Sequence, residues 1–181
     1  RIFYSYLIDL KQINEPVTLT VLRKGQVLTI RYFLKAYPYR ISWFNEYEKL
    51  PRYCIVGGII FQPLSKEFLK TWNKWWHTAD RRLLYYYACH ISDNLFPERK
   101  EFILINRVLP DRANTYLSDV HDKVVDSINN VKIRTLDDVA EAVRKPVAGY
   151  HVIHIDGTSC PLLLKASEIA EADRRIKEKY D

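Results

Sequence analysis

Two adjacent glycines, Gly57 and Gly58, interrupt a short apolar stretch at residues 53–61. A short apolar run of this kind is typical of a buried strand. Two successive glycines indicate a place where the backbone adopts positive φ or where another segment approaches closely. The stretch therefore predicts a strand broken at the glycines, and Pro63 and Ser65 after it predict the start of a helix.

Short strands separated by turn signals are predicted in much of the remaining chain. Alternating, β-branched residues predict two hairpins, and two further apolar runs predict strands joined by a loop with one helical turn. The hairpins are residues 17–22 with 27–34 around Gly25 and residues 150–155 with 160–165 around Asp156-Gly157, and the other strands are residues 101–109 and 123–128, the second ending in the turn Asn129-Asn130.

Apolar residues at helical spacing predict the remaining elements. Thr135 has the side chain of an N-cap, and the two acids after it oppose the helix dipole. The predicted helices are residues 2–10, one or two helices within residues 65–90, residues 135–144, and residues 166–180 with Ile169, Ala170 and Ile176 as the inner face.

The composition fits a packed globular chain. Apolar residues make up 48% and charged residues 28% of the chain, which favours a core over disorder. The net charge of +6 is spread along the sequence and favours acidic partners only weakly. The number of cysteines is odd, and their spacing is not that of metal ligands. We therefore expect buried thiols at Cys54, Cys89 and Cys160 rather than a disulfide or zinc site. No apolar run approaches the ~18 residues of a membrane-spanning helix.

The sequence predicts no catalytic nucleophile, cofactor or metal. Ser159 is followed by a cysteine, not by the glycine of a nucleophile elbow. His121 and Asp122 are neighbours, and we expect their side chains to diverge along the backbone. His151 and His154 lie three residues apart in a predicted strand, so they face opposite sides, which disfavours joint metal ligation.

Three consecutive stretches, residues 108–111, 122–133 and 135–143, resemble the core of a PDZ domain from the HtrA/Deg-type serine proteases. The family order is a strand, a proline-led loop, a strand ending in an Asn-Gly-like turn, and a helix with apolar residues at fixed spacing. This chain departs from it at Asn130-Val131, where Asn-Gly is common. Because Asn tolerates the left-handed conformation, the turn is expected to persist.

A closer resemblance is to the divergent last PDZ domain of the plant Deg protease type and its bacterial relatives. Leu50-Pro51-Arg52-Tyr53 and the stretch 55–64 carry this resemblance, and residues 65–100 fit the long helical insertion of that domain. Residues 1–34 are similar to the second half of a preceding PDZ domain. The resemblance therefore covers essentially the whole chain.

The resemblance implies an α+β fold: a PDZ-like, partly open β-barrel or sandwich capped by helices. It also implies a helical insertion and a partial second PDZ unit at the N-terminus. The implied domains are residues 1–34 as the C-terminal half of a preceding PDZ domain, residues 35–52 as a linker, residues 53–165 as an expanded PDZ domain with its insertion at 65–100, and residues 166–181 as a C-terminal helix.

A PDZ groove binds an extended peptide as an added strand, and a loop of backbone N–H groups binds the terminal carboxylate. A helix forms the opposite wall, and residues at three- and four-residue spacing share its face. The predicted peptide-binding residues are Ile55, Val56, Gly57 and Gly58 in the carboxylate loop, Ile59 and Phe61 on the accepting strand, and Leu136, Val139, Ala140 and Val143 on the helix.

Other interpretations of these residues stay open. The glycines could form only a bulge beside an ordinary core helix, or the groove could be closed by its own chain and the domain purely architectural. A different class of function is binding of nucleic acid or anionic membranes, although aromatic residues at helical spacing are more often packing. The residues for that surface are Trp72, Lys74, Trp75, Trp76, His77, Arg81 and Arg82.

The resemblance implies a non-catalytic region that serves proteolysis through substrate recruitment, regulation or oligomer assembly. Its implied partners are peptide or unfolded-protein segments, an upstream protease domain and further copies in a homo-oligomer, whereas nucleic acid and membranes are disfavoured. The implied compartment is the bacterial envelope or an organelle.

Overall fold

The computed structural model describes residues 3–36, 41, 47–89, 93 and 96–180. The chain divides into two compact units, Arg1–Tyr39 and Arg40–Asp181. No helix among the described residues is long and apolar enough to cross a membrane. Part of the predicted linker and part of the predicted insertion lie outside the described residues.

The first unit is a short helix followed by a hairpin. Helix α1 is Tyr4–Asp9, and strand β1, Pro16–Arg23, pairs antiparallel with strand β2, Gln26–Phe33. Lys24 and Gly25 between the strands have φ values of 49° and 77°. Positive φ at both positions is what a two-residue hairpin turn of type I′ requires. The predicted hairpin is confirmed.

The second unit is built on an open, antiparallel sheet of seven strands. The strand order is β3-β4-β5-β6-β8-β9, and β7 pairs with β6. Because β3 and β9 do not meet, the predicted α+β fold with an unclosed sheet is confirmed. The strands are β3, Cys54–Val56; β4, Ile59–Pro63; β5, Ile103–Val108; β6, Lys123–Ile128; β7, Val131–Lys132; β8, Tyr150–Ile155; and β9, Leu162–Lys165.

Helices lie on both sides of this sheet. The insertion between β4 and β5 contains α2, α3 and α4, one 3₁₀ turn precedes β6, and two further helices follow β7 and β9. Their bounds are α2, Lys66–Leu69; α3, Trp75–Thr78; α4, Arg81–Ala88; the 3₁₀ turn, Thr115–Leu117; α5, Leu136–Ala142; and α6, Ala166–Tyr180.

The described part of the insertion contains three short helices, where the sequence predicts one or two. Helix α2 ends at Leu69, and Lys74, which precedes α3, has a left-handed φ of 54°, so α2 and α3 are not one continuous helix. Asp80 then begins α4, because its carboxylate accepts the N–H of Arg82 at 2.7 Å. Local breaks in the backbone therefore divide the predicted helix into shorter ones. Apolar periodicity does not reveal such breaks.

Strand β5 is buried on both faces because its residues alternate between two hydrophobic cores. Ile103 and Ile105 belong to the first core, together with residues of α5, whereas Leu104 belongs to the second. Phe68 and Leu83 bring α2 and α4 into the second core. The insertion thus covers the face of the sheet opposite α5.

Helix α5 begins at a capping box. The hydroxyl of Thr135 accepts the N–H of Asp138 at 3.4 Å, and the Asp138 carboxylate accepts the N–H of Thr135 at 2.9 Å. The carboxylate of Glu101 accepts the N–H of Leu136 at 2.9 Å and the guanidinium of Arg52 at 2.6 Å. The predicted N-cap is confirmed, and two long-range contacts hold the start of this helix.

The inner face of α6 differs from the prediction at one position. Ala172 and Ile176 are buried and Ile169 is half-buried, but Ala170 is exposed. Residues three and four apart share a helix face, so Ile169 and Ile176 direct Ala172, not Ala170, toward the domain. The prediction is right for the two isoleucines and wrong for Ala170.

Candidate functional site

Gly57 and Gly58 form the tight turn of a hairpin, which we call the glycine turn. Their φ values are 56° and 84°, and Val56 and Ile59 on either side are paired. Two-residue hairpin turns with positive φ at both positions strongly favour glycine. The predicted break in the strand is therefore a reversal of the chain.

Strand β4 is hydrogen-bonded on both sides within its own chain. Ile59 pairs with Val56 of β3 and with Val108 of β5. Phe61 pairs with Cys54 of β3 in the same register. Strand β3 is the end strand of the sheet, and it occupies the place beside β4 that an added peptide strand would need.

The structure brings the predicted peptide-binding residues together, because α5 packs against β3 and β4. Most of them lie in the first core rather than along an open cleft. Val56, Gly57, Gly58, Ile59, Phe61, Leu136 and Val139 are buried, Ala140 and Val143 are half-buried, and Ile55 is exposed. Their role in peptide binding stays a prediction.

One backbone hydrogen bond and one side chain hold the glycine turn from the direction of the loop after β5. The carbonyl of Gly58 accepts the N–H of Leu109 at 2.8 Å. The side-chain amide of Asn114 donates to the carbonyls of Gly57 at 2.7 Å and Leu109 at 2.9 Å. Since Asn114 is 1% exposed, this amide is a buried link between the turn and the loop.

The N–H groups of the glycine turn point to helix α6. Oδ1 of Asp173 accepts the N–H of Gly57 at 2.7 Å, and the N–H of Gly58 also donates to this carboxylate. Burial raises the pKa of Asp173, and this effect outweighs the two N–H groups, which lower it. The carboxylate of nearby Asp111 raises the pKa further.

An ion pair links the same part of α6 to the loop after β5. Arg175 donates to both carboxylate oxygens of Asp111, at 2.9 and 2.8 Å, in the bidentate geometry that guanidinium and carboxylate favour. The Asp111 side chain is 8% exposed, and the Arg175 hydrogen bonds lower its pKa to about 2. Helix α6 is therefore attached to the loop after β5 two residues beyond Asp173.

Sequence reasoning missed Asn114, Asp173 and the partnership of Asp111 with Arg175. One signal for Asp173 was present: it lies four residues after Ile169 and three before Ile176, on the apolar stripe of α6. An acid on such a stripe indicates a buried partner. No pattern within the chain identifies the glycine turn as that partner.

A second buried polar cluster joins the turn after β6 to the end of α5. Asn129 accepts the N–H of Val152 at 2.9 Å, and its amide nitrogen donates to the carbonyl of Ala142 at 2.8 Å. The same nitrogen lies 3.0 Å from Nδ1 of His151. Because the amide nitrogen of Asn129 can only donate, Nδ1 of His151 accepts this hydrogen bond and carries no proton. Burial lowers the pKa of His151 accordingly.

Acid is expected to destabilise the domain through His151. A folded-state pKa below the ordinary 6.5 means that the unfolded chain binds the proton first, so stability falls as pH drops below that value. Unfolding in urea from about pH 8 to about pH 5 measures this effect. In His151→Gln, which cannot titrate, the fall should be smaller, and His154→Gln is the matched control. A fall of equal size in His151→Gln would contradict the assignment.

The neighbours His121 and Asp122 correct an expectation. Nδ1 of His121 lies 2.7 Å from Oδ2 of Asp122, so the two side chains do not diverge. Asp122 has a φ of 55°, and this left-handed backbone directs its carboxylate back to the preceding residue. The His121 side chain is exposed, so the pair lies at the surface.

The cysteines are less buried than expected. Cys54 in β3 is half-buried, and burial, followed by the charge of Asp173, raises the pKa of its thiol. Cys89 and Cys160 are exposed, which corrects the expectation for both. They lie at the end of α4 and in the connection between β8 and β9, where the chain faces solvent.

The tryptophans of the insertion act mainly in packing. The Trp72 ring packs edge-on against Phe68 at 5.0 Å, and Trp75 packs against Tyr87 at 5.5 Å between centroids. Trp75 also stacks on Trp76, which is half exposed. These contacts favour the packing interpretation over a surface that stacks on nucleic acid bases.

Two cavities lie outside the predicted groove. The larger, about 590 Å³, is lined by Arg52, Pro63 and Phe68 among others. The smaller, about 290 Å³, includes Arg82 and Asp156. Neither is lined by any of the ten predicted peptide-binding residues.

The second unit combines a tight hairpin, a helix packed beside it and an open antiparallel sheet. Residues 43–181 match the family model described as a PDZ domain. The chain belongs to the PDZ domain family.

Similar curated proteins come from Arabidopsis thaliana. "Putative protease Do-like 12, mitochondrial" and "Protease Do-like 4, mitochondrial" are each 27% identical over 143 residues, which are 79% of this chain and 24% of each relative. "Putative protease Do-like 3, mitochondrial" is 26% identical over 149 residues, 80% of this chain and 24% of the relative. The chain thus spans about a quarter of these relatives. The resemblance to the PDZ region of HtrA/Deg-type proteases is confirmed.

Proposed function

We propose that this chain is a non-catalytic PDZ region of a Deg-type serine endopeptidase, and that it acts through assembly and regulatory contacts. The observation that carries this proposal is the pairing of β4 with β3 on one side and β5 on the other. A peptide strand cannot be added to β4 while β3 occupies that position. Capture of substrate segments at the ten predicted residues would therefore require β3 to leave.

Burial supports the same conclusion. Ile59, Phe61 and Val139 are at most 1% exposed, and they belong to one packed core. Side chains that bind a peptide reversibly need space beside them, whereas these fill it. The closed arrangement favours a domain that contributes a stable surface to the enzyme.

We also infer that the first unit is the end of a preceding PDZ domain. On one face of its hairpin, Leu19 lies opposite Ile30 and Val21 opposite Leu28. Ile30 is 47% exposed and Leu28 39% exposed, and a two-stranded hairpin is at best marginally stable alone. An apolar face of this kind fits a strand pair that completes a larger sheet.

Deleting residues 40–181 from the full-length endopeptidase tests the assembly role. The oligomeric state, measured by light scattering, is expected to change, while KM for casein stays within about twofold. A rise in KM of about tenfold with an unchanged oligomeric state would indicate substrate recruitment and overturn the proposal.

The 181-residue chain is expected to leave casein intact after prolonged incubation. Site-specific cleavage by the chain, lost in Ser159→Ala, would contradict the non-catalytic assignment. Thr158→Ala is the matched control for this substitution, since it changes the neighbouring hydroxyl in the same connection between β8 and β9.

A further inference from the structure

Residues 72–78 of the insertion, which we call the tryptophan segment, lie at the surface of the second unit. Trp72 and Trp75 are half-buried, and the other five residues of the segment are exposed. Neither of the two cavities described above is lined by the segment. It therefore fits a broad partner surface better than a single inserted peptide.

Trp76 is an exposed aromatic side chain that is nevertheless held in place. It is 50% exposed, and its ring stacks on Trp75 at 3.9 Å between centroids. Trp75 packs edge-on against Tyr87, which is 1% exposed and belongs to the second core. The indole of Trp76 is thus ordered before any partner arrives, which lowers the entropic cost of binding.

The sequence around this segment is strongly basic. Residues 68–92 contain four Lys and Arg and a single acid, Asp80, and so carry a charge of +3 out of the +6 of the chain. The Asp80 carboxylate accepts the N–H of Arg82 and lies 3.8 Å from Nζ of Lys123. Because the one acid is engaged in these contacts, the segment faces solvent with an excess of positive charge.

Four of the seven residues predicted for a basic, aromatic surface are exposed and directed to no other part of the fold by a side-chain hydrogen bond: Lys74, Trp76, His77 and Arg81. Arg82 differs from them, because it donates to the carbonyl of Asp156 at 2.7 Å. Among the described residues, no carboxylate pairs with Lys74 or Arg81. Their charges are therefore available to an anionic partner.

An ordered, half-exposed indole beside unpaired cations matches the chemistry of an anionic membrane surface. Indole rings favour the region of the lipid headgroups, where one end of the ring is wet and the other apolar. Lys and Arg are attracted by the negative potential of anionic headgroups. A single-stranded nucleic acid instead stacks successive bases on several rings, and within this segment one indole is exposed.

We propose that the tryptophan segment and the neighbouring Arg81 bind the surface of an anionic membrane. Trp76 lies in the headgroup region, and Lys74 and Arg81 contact the lipid phosphates. The segment rests on the membrane rather than crossing it. The inference goes beyond the proposed function and does not depend on the assembly role.

Sedimentation of the 181-residue chain with lipid vesicles tests the cations. The chain is expected to bind vesicles of equal parts phosphatidylcholine and phosphatidylglycerol at least about tenfold more tightly than vesicles of phosphatidylcholine alone, and less tightly as salt rises. Lys74→Gln combined with Arg81→Gln should weaken binding to the mixed vesicles about twentyfold. The matched control is Arg144→Gln with Lys145→Gln, which removes the same charge from exposed residues after α5.

Replacing Trp76 tests the aromatic contact. Trp76→Ala is expected to weaken binding to the mixed vesicles at least about fivefold. Tyr180→Ala is the matched control, because Tyr180 is also 50% exposed. Trp76→Phe keeps a ring to stack on Trp75 and serves if the alanine variant does not fold. With brominated acyl chains in the mixed vesicles, tryptophan emission should be quenched in the wild type and much less in Trp76→Phe.

Three results would overturn the proposal. They are equal binding to neutral and mixed vesicles, a loss in the Lys74 and Arg81 variant no larger than in its control, and quenching by bromine that Trp76→Phe leaves unchanged. Binding of a single-stranded RNA by the wild type without binding to mixed vesicles would assign the surface to nucleic acid instead. The oligomeric state of the deleted endopeptidase is measured without lipid, so the membrane contact and the assembly role fail separately.

Discussion

Replacing Gly58 by alanine is expected to lower the free energy of unfolding of the second unit by about 3 kcal/mol. Gly58 has a φ of +84°, and an added Cβ would lie 2.5 Å from the carbonyl oxygen of Leu109. Backbone cannot yield as a flexible side chain does, so the hairpin must move away from the loop after β5. Urea unfolding followed by tryptophan fluorescence measures the loss.

Gly149→Ala is the matched control for this substitution. Gly149 has nearly the same backbone, with a φ of +83°, but nothing lies within 4 Å of its added Cβ. Its free energy of unfolding is expected to fall by only about 1 kcal/mol, because alanine is strained in the left-handed conformation. A loss in Gly58→Ala no larger than in Gly149→Ala would mean that the glycine turn is not packed against Leu109.

Asn129→Ala is expected to destabilise the same unit by about 3 kcal/mol. The buried side chain makes three contacts, to the N–H of Val152, the carbonyl of Ala142 and Nδ1 of His151. Alanine leaves these groups without their partner in a buried place. The end of α5 and the start of β8 should loosen together, which thermal unfolding and amide exchange measure.

The neighbouring Asn130→Ala separates the hydrogen bonds from the backbone effect. Asn129 and Asn130 have φ values of 49° and 65°, so both substitutions place alanine in a left-handed conformation. Asn130 is exposed, and its replacement should cost about 1 kcal/mol. Equal losses in the two variants would contradict the buried role of the Asn129 amide.

Local sequence signals predicted most elements of the fold. The capping box at Thr135, the left-handed turn at Asn129 and the glycine of the first hairpin act within a few residues, so a single sequence contains them. The prediction failed where a local break decided the outcome. Lys74, which precedes α3 with a left-handed φ of 54°, is such a break, and its residue type does not indicate it.

The candidate site was predicted only in part. The sequence identified Gly57 and Gly58 as a backbone feature, since glycine is what two positive φ angles favour. It did not reveal that β3 pairs beside β4, because apolar strands satisfy a core or a groove equally well. The difference between an open and a closed groove depends on which strand occupies the neighbouring position.

The amino-acid sequence by itself indicated the family through a resemblance. It also indicated most strands and helices and the two glycines of the glycine turn, because turns, caps and periodicity act between near neighbours. Only the tertiary structure decided what meets the glycine turn. Asp173 lies 116 residues after Gly57, and its carboxylate reaches the turn because α6 packs beside β3. A contact over such a separation depends on how the elements pack, and no local pattern specifies it.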